Sequence, residues 1–170
     1  MTASILLLML LVPLESFAFS PKEVLSAEQV KRNIYVSDTT VYGGDALANP
    51  VTLAGVRWAR NPQGFERIVI DLSGEGSGWE SKTPPYFHVG TDSRSHSISV
   101  NIRGVSGRKI SSEQIHKSLT RSSLIVSAYL APDLEGDLAS LEFRVKEPVE
   151  LETFYLVSPP RIVVDLKTKH

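Results

Sequence analysis

The chain has 170 residues, with 18 basic and 19 acidic side chains, a formal net charge of −1 and no cysteine. Without an excess of positive charge it lacks the field that draws proteins to phosphate backbones, which argues against a nucleic-acid partner. The lack of cysteine excludes disulfides, thiolate metal sites and a lipid anchor on a cysteine.

The first 18 residues carry the pattern of a secretory signal peptide. An unbroken apolar run covers residues 5–12, Pro13 ends it, and Ser16-Phe17-Ala18 places small residues where a signal peptidase reads. The run is shorter than the roughly 20 residues that a membrane span needs. We therefore predict cleavage after Ala18, a periplasmic protein that is not a lipoprotein, and no membrane span after cleavage.

Residues 19–50 show no sustained period and contain the breakers Gly43-Gly44 and Asn49-Pro50. This composition predicts an N-terminal arm or linker. From Val51 onward, short alternating segments are separated by turn residues, which is typical of all-β domains. We predict a single domain over residues 51–168.

Four pairs of these segments flank turn sequences, and each pair predicts a β-hairpin. Between the second and third hairpins, Ser111-Ser112-Glu113-Gln114 predicts a short capped helix or an irregular crossover. The hairpins pair Leu53–Arg60 with Phe65–Leu72, Phe87–Val89 with Ser97–Arg103, Leu124–Leu130 with Leu138–Val145, and Val149–Leu156 with Arg161–Leu166.

Alternation along the strands gives each one an apolar face to bury and a polar face to wet. Two antiparallel sheets packed face to face satisfy this pattern, so we predict an all-β sandwich of about eight strands. The positions predicted to be buried are Ile68, Ile70, Leu72, Ile98, Val100, Ile102, Leu141, Phe143, Val145, Ile162, Val164 and Leu166.

The sequence also contains an internal repeat. Residues 67–72 and 161–166 share the pattern Arg-Ile-Val-apolar-Asp-Leu and differ only at Ile70 and Val164. One explanation is chance, since these are common strand residues. The other is a duplicated half-domain of four strands, which would place Arg67 and Arg161 at matching positions of an internal two-fold repeat.

Two segments resemble a known family. The run Leu53-Ala54-Gly55-Val56-Arg57, followed by Gly64 and residues 67–74, resembles the opening hairpin of the AMIN domain, and residues 159–166 resemble one of its strands. The resemblance covers roughly residues 51–167. It implies a periplasmic β-sandwich of the kind that precedes cell-wall amidase domains and secretin pores and positions them at peptidoglycan. Because the sequence ends at His170, we expect a free-standing module here.

Catalytic motifs give little support for an enzyme. The four histidines lack zinc-ligand spacing, and no serine lies in a Gly-x-Ser-x-Gly turn. Glu150 and Glu152 lie on one strand face at a spacing that occurs in glycosidases, but a solvated strand face is our prediction for them. We predict a non-enzyme with no catalytic residue, no metal and no cofactor, and a small hydrolase is kept as an alternative.

A binding surface remains. Aromatic rings stack on sugars, and arginine bonds carboxylates in bidentate fashion, which suits the glycan and the peptides of peptidoglycan. Trp58 is predicted to belong to the core instead. We predict a module that targets or positions itself at peptidoglycan, and the alternative is a protein-docking subunit of a secretion, pilus or division complex. The predicted ligand-binding residues are Arg57, Arg67, Tyr86, Arg103 and Arg161.

Overall fold

The computed structural model describes residues 24–74, 83–132 and 136–169. These residues form eleven strands and one helix, and the predicted signal peptide with its cleavage site lies outside them. The strands are β1 (Val24–Ser26), β2 (Thr40–Gly43), β3 (Val51–Arg60), β4 (Glu66–Gly74), β5 (Phe87–Asp92), β6 (Ser97–Arg103), β7 (Val105–Arg108), β8 (Ile125–Leu130), β9 (Leu138–Val145), β10 (Val149–Leu156) and β11 (Arg161–Thr168), and the helix is α1 (Ser112–Leu119).

The strands form two sheets packed face to face, which confirms the predicted sandwich. Sheet A has the order β1-β2-β5-β6-β9-β8, and sheet B has the order β10-β11-β4-β3-β7. Two neighbouring pairs, β1 with β2 and β3 with β7, run parallel, and the remaining neighbours run antiparallel. The sheets are therefore mixed, and the strands exceed the predicted eight because β1, β2 and β7 have only three or four residues each, too few to show alternation.

All four predicted hairpins form, as β3–β4, β5–β6, β8–β9 and β10–β11. The first turn ends at Gly64, whose φ of 86° is readily adopted only by glycine. The predicted helix also forms. Ser111 Oγ accepts a hydrogen bond from Gln114 N, and the Gln114 side chain accepts one from Ser111 N, which completes a capping box. Within the described chain, no helix is long and apolar enough to cross a membrane.

The alternation predicts the core correctly, since all twelve apolar positions named above are buried between the sheets. Strand β3 departs from strict alternation. Its pairing with β4 shifts between Leu53 and Gly55, and this bulge turns both Leu53 and Val56 into the core. Trp58 packs against the same core, as predicted.

The two repeated segments lie side by side in sheet B. Strands β4 and β11 are antiparallel neighbours in which Val69 lies opposite Val163, so each repeat's arginine faces the other repeat's aspartate. In each sheet, two hairpins meet along their inner strands. In chain order, the first half supplies the β3–β4 hairpin to sheet B and then β5–β6 to sheet A. The second half supplies β8–β9 to sheet A and then β10–β11 to sheet B. A simple tandem repeat does not produce this reversal.

The predicted arm or linker contributes to the sandwich from residue 24 onward. It supplies β1 and β2 to sheet A, and Val41 lies in the core. Between these strands, residues 27–39, which we call the arm, run along the edge of β10. Val36 and Leu151 exchange two backbone hydrogen bonds of 2.8 Å, and Tyr155 N donates to Glu28 O at 2.9 Å. The arm thereby covers an edge that would otherwise present unpaired backbone groups.

Candidate functional site

The outer face of sheet B holds Arg67 in a buried ion pair. The guanidinium donates to both carboxylate oxygens of Asp165, at 2.6 and 2.8 Å. Alternation predicts a solvated Asp165, but its side chain is 0 % exposed. The prediction is wrong because this face is covered by the arm and by the ring of Phe154, over which Arg67 also lies.

Lys31 of the arm completes this cluster. Its Nζ lies 2.6 Å from both Asp165 Oδ2 and Glu152 Oε2 and donates to Tyr35 Oη at 2.9 Å. Burial alone would lower the pKa of Lys31, but these hydrogen bonds outweigh burial and raise it. Glu152 also accepts the backbone N–H groups of Arg32 and Asn33. The solvated strand face predicted for Glu152 is thus wrong, since this residue is a buried anchor for the arm.

Arg161, the second repeat's arginine, forms an ion pair with Asp71, but among the described residues its buried Nε has no hydrogen-bond partner. Arg57 donates to Asp71 at 2.6 and 2.7 Å, and Arg161 Nε lies 3.3 Å from the same carboxylate. Arg67 and Arg161 therefore occupy matching positions in the two repeats. Each arginine faces a carboxylate of this chain.

The outer face of sheet A is built differently, around two stacked tyrosines. The ring centroids of Tyr42 and Tyr86 lie 6.1 Å apart at an interplanar angle of 28°, and the centroids of Tyr42 and His88 lie 5.7 Å apart. The pairing of β2 with β5 explains why these rings are close together, since Tyr42 lies directly opposite His88. The three rings form an aromatic surface along the outer side of β2 and β5.

Uncharged polar groups continue this surface across the sheet. Ser140 Oγ donates to Asn101 Oδ1 at 2.6 Å, and Asn101 Nδ2 lies 3.0 Å from His88 Nε2. Burial and the positive charge of Arg103 lower the pKa of His88, so its ring is neutral near pH 7 and accepts this hydrogen bond. Gly90 has no side chain, which keeps the middle of this face low. An added Cβ would lie 3.3 Å from Ser99 Oγ.

Two predicted site residues meet at the end of this surface. Tyr86 and Arg103 line a cavity of about 190 Å³ together with Asp45 and Asp137. The backbone explains their proximity, because Arg103 N donates to Tyr86 O at 2.9 Å. One arginine, two aspartates and a tyrosine thus line one small cavity beside the tyrosine stack.

The predicted binding set is therefore divided between the two faces. Arg57, Arg67 and Arg161 lie in ion pairs on sheet B, whereas Tyr86 and Arg103 lie together on sheet A. Tyr42 was not predicted because it lies in residues 19–50, where no hydrophobic periodicity assigns residues to a face of a strand. His88 and Asn101 could have been identified, since alternation places them on the outer face of the second hairpin.

No cluster of three or more histidine, aspartate or glutamate side chains is placed to hold a metal ion in residues 24–74, 83–132 and 136–169. No protein-family model matches this chain, and a search of curated proteins finds no match either. The similarity to the AMIN domain stays a prediction that rests on the short sequence motifs.

Proposed function

We propose that this protein is a non-catalytic module of the bacterial envelope that binds peptidoglycan in the periplasm. The observation that carries the proposal is the aromatic row of Tyr42, Tyr86 and His88, which ends at the cavity containing Arg103. Periplasmic location rests on the signal-peptide pattern of the first 18 residues.

The chemistry of this face suits a glycan strand. Sugar rings present apolar C–H faces that pack on aromatic rings, and the stacked tyrosines offer such a surface. Sugar hydroxyls both donate and accept hydrogen bonds. Asp45, Asp137 and Arg103 line the cavity, and carboxylates accept hydrogen bonds whereas guanidinium groups donate them.

The middle of this face also suits a glycan strand, because the side chains around Gly90 are short. Ser99, Asn101 and Ser140 place short, uncharged polar groups next to Gly90. A long polymer can lie across such a low surface without displacing bulky side chains, and Glu142, opposite Ser99 on β9, adds a carboxylate beside it. Sheet B, whose guanidinium groups already face carboxylates, lacks this property.

Sedimentation with purified sacculi tests the proposal. We expect the wild-type protein to pellet with sacculi, and the double variant Tyr42→Ala, Tyr86→Ala to pellet at least tenfold less while its circular dichroism stays unchanged. Tyr129→Ala is the matched control, because Tyr129 is exposed on β8 of the same sheet, away from the stack. Failure of the wild type to pellet, or equal pelleting of the double variant, contradicts the proposal.

A further inference from the structure

The two repeats leave their arginines in unequal states. Arg67 and Asp165 lie opposite each other on β4 and β11, and Arg67 donates to both oxygens of that carboxylate. Arg161 and Asp71 lie opposite each other in the same ladder. There, however, both oxygens of Asp71 accept hydrogen bonds from Arg57 instead, at 2.6 and 2.7 Å. The second repeat therefore has the same arginine, but its carboxylate is bonded to another guanidinium.

Arg161 consequently has hydrogen-bond donors to spare. Its Nε is buried and lies 3.3 Å from Asp71 Oδ1 in an ion pair without a hydrogen bond. Its two terminal nitrogens are not buried, and no described group accepts a hydrogen bond from them. The side chain as a whole is 35 % exposed. A planar guanidinium presents its donors as a fork that matches a carboxylate, and the terminal part of this fork is unused.

The charges around Arg161 do not balance. Two neighbouring rows of residues cross β10, β11, β4 and β3 on the outer face of sheet B, and together they contain two guanidinium groups and one carboxylate. Like charges that lie close together repel, and Asp71 offsets only one of the two arginines. One further negative charge would neutralise the cluster, so a singly charged anion suits it. The first row is Leu156, Arg161, Asp71 and Gly55, and the second is Phe154, Val163, Val69 and Arg57.

The surface beside this cluster is open. Gly55 lies opposite Asp71 on β3, and among the described residues an added Cβ there would approach only Asp71 Oδ2, at 3.7 Å. The Arg57 side chain next to it is 60 % exposed. A small anion can therefore reach the two guanidinium groups from solvent without displacing a side chain.

We propose that Arg161 and Arg57 form a binding site for a carboxylate ligand, in which Asp71 holds the two guanidinium groups side by side. The ligand accepts hydrogen bonds from the terminal nitrogens of Arg161 and is attracted by the charge of Arg57. The chain itself shows this chemistry, since Arg67 and Arg57 each bind an aspartate through two hydrogen bonds. The inference goes beyond the peptidoglycan proposal, because the site lies on the other sheet and uses none of the same residues.

N-acetylalanine provides the probe, because its carboxylate is its only charge near pH 7, and N-acetylalaninamide is the uncharged comparison. The ¹⁵N-labelled protein, as recovered after export, is titrated with each compound at constant ionic strength. With the acid we expect saturable shifts of the Arg161 Nε–H signal and of the backbone amides of Gly55 and Asp71. The amide should bind at least about tenfold more weakly, since it lacks the charge-assisted hydrogen bonds.

Dimethyl phosphate tests a different singly charged oxyanion, the phosphodiester. We expect it to bind more weakly than N-acetylalanine, because a carboxylate is the stronger base and the better hydrogen-bond acceptor. Tighter binding of dimethyl phosphate would identify a phosphodiester site and overturn the inference.

Variants test the groups that carry the inference. Arg161→Gln should weaken binding of the acid about tenfold, and Arg161→Lys severalfold, because an ammonium keeps the charge but lacks the fork. Gly55→Leu keeps both arginines and covers the open surface, so it should weaken binding as well. The matched control is Arg60→Gln, which removes the same charge from an exposed position of β3 and should leave binding unchanged. Circular dichroism checks that each variant is folded.

Three further results would overturn the inference. These are the absence of saturable shifts, equal binding of the acid and the amide, and an equal loss of binding in Arg60→Gln, which would show that net charge alone attracts the acid. None of these measurements uses sacculi or the tyrosines of sheet A. Failure here therefore leaves the peptidoglycan proposal standing, and failure of the wild type to pellet leaves this one standing.

Discussion

The two outer faces of the sandwich use their polar residues in opposite ways. On sheet B, arginine and lysine side chains are held against carboxylates, and the arm covers part of the cluster. On sheet A, rings and short uncharged side chains form an open surface whose hydrogen bonds run within the face. The comparison teaches that charged residues in a repeated motif can pair with each other inside the fold, and that the surface we propose for binding lies where no sequence motif is visible.

The largest expected effect comes from removing the buried carboxylate of sheet B. Asp165→Ala leaves Lys31 and Arg67 without their shared partner in a covered site, and breaking a buried ion pair costs about 3–5 kcal/mol. Asp71→Ala is the matched control from the other repeat. Because Asp71 and its arginines are partly exposed, we expect a loss of about 1 kcal/mol or less.

Urea unfolding of both variants measures the difference. Equal losses in the free energy of unfolding would show that the two halves of the motif contribute alike, and would contradict the distinction between a covered and an exposed pair. A larger loss of stability for Asp71→Ala than for Asp165→Ala would show that the exposed pair contributes more than the covered one.

A second variant tests how the arm is held. Lys31→Met removes charged hydrogen bonds to Glu152 and Asp165, for which we expect a loss of about 2 kcal/mol in stability. Hydrogen exchange should accelerate at the amides of Arg32 and Asn33, which bond to Glu152. The control is Lys167→Met, since Lys167 lies over the Tyr35 ring at 4.0 Å, a contact worth at most about 1 kcal/mol.

Unchanged exchange at these two amides would show that the arm is held by its contacts with β10 rather than by Lys31. The same cluster predicts unequal effects for charge reversal at the two arginines. Arg67→Glu places a second carboxylate against buried Asp165, so this variant should be clearly less stable than Arg161→Glu.

Glu66 is a buried carboxylate for which the described part of the chain provides no ion pair, and it allows a further comparison with Asp165. Glu66 accepts hydrogen bonds from Trp58 Nε1 at 2.8 Å, from the Ser122 hydroxyl, and from the Ser123 backbone and hydroxyl. Burial alone would raise the pKa of Glu66, but these hydrogen bonds outweigh burial and lower it below the ordinary value of 4.5.

The sign of the pH dependence follows from this lowered pKa. The unfolded chain binds a proton at a higher pH than the folded chain does, so the stability from Glu66 is fully present above pH 4.5 and is lost as the pH falls through the folded pKa. Urea midpoints between pH 7 and pH 3 should therefore fall more steeply for wild type than for Glu66→Gln. Parallel curves for the two proteins would contradict the role of this carboxylate.

Most of the sandwich could be predicted because burial on one face leaves a period of two. Ile98, Val100 and Ile102 show this directly, since each is fully buried. The bulge in β3 could not be predicted, because a shift of one residue leaves no distinct residue pattern in Leu53–Val56. The strands β1 and β2 were missed because three or four residues are too few to show alternation.

The candidate site was predicted less well for a different reason. Alternation assigns a residue to a face but does not state what covers that face. Asp165 and Glu152 are polar residues on an outer face, and they are buried because the arm, more than 100 residues away in sequence, packs over them. Similarly, Tyr42 joins Tyr86 only through the pairing of β2 with β5. Such contacts depend on tertiary structure rather than on local pattern.

The smallest effect on stability is expected on sheet A, at Asn101. This side chain accepts from Ser140 Oγ and lies 3.0 Å from His88 Nε2, so it fixes the orientation of the imidazole in the aromatic row. Asn101→Ala removes two partly exposed hydrogen bonds, which should change the free energy of unfolding by about 1 kcal/mol or less. Freed from Asn101, the His88 ring can turn away from the plane in which it continues the tyrosine stack. We therefore expect sacculus pelleting to weaken several-fold although the protein stays folded. Ser99→Ala, beside Gly90 on the same face, is the control, and an Asn101→Ala variant that pellets like wild type would confine the binding surface to the two tyrosines.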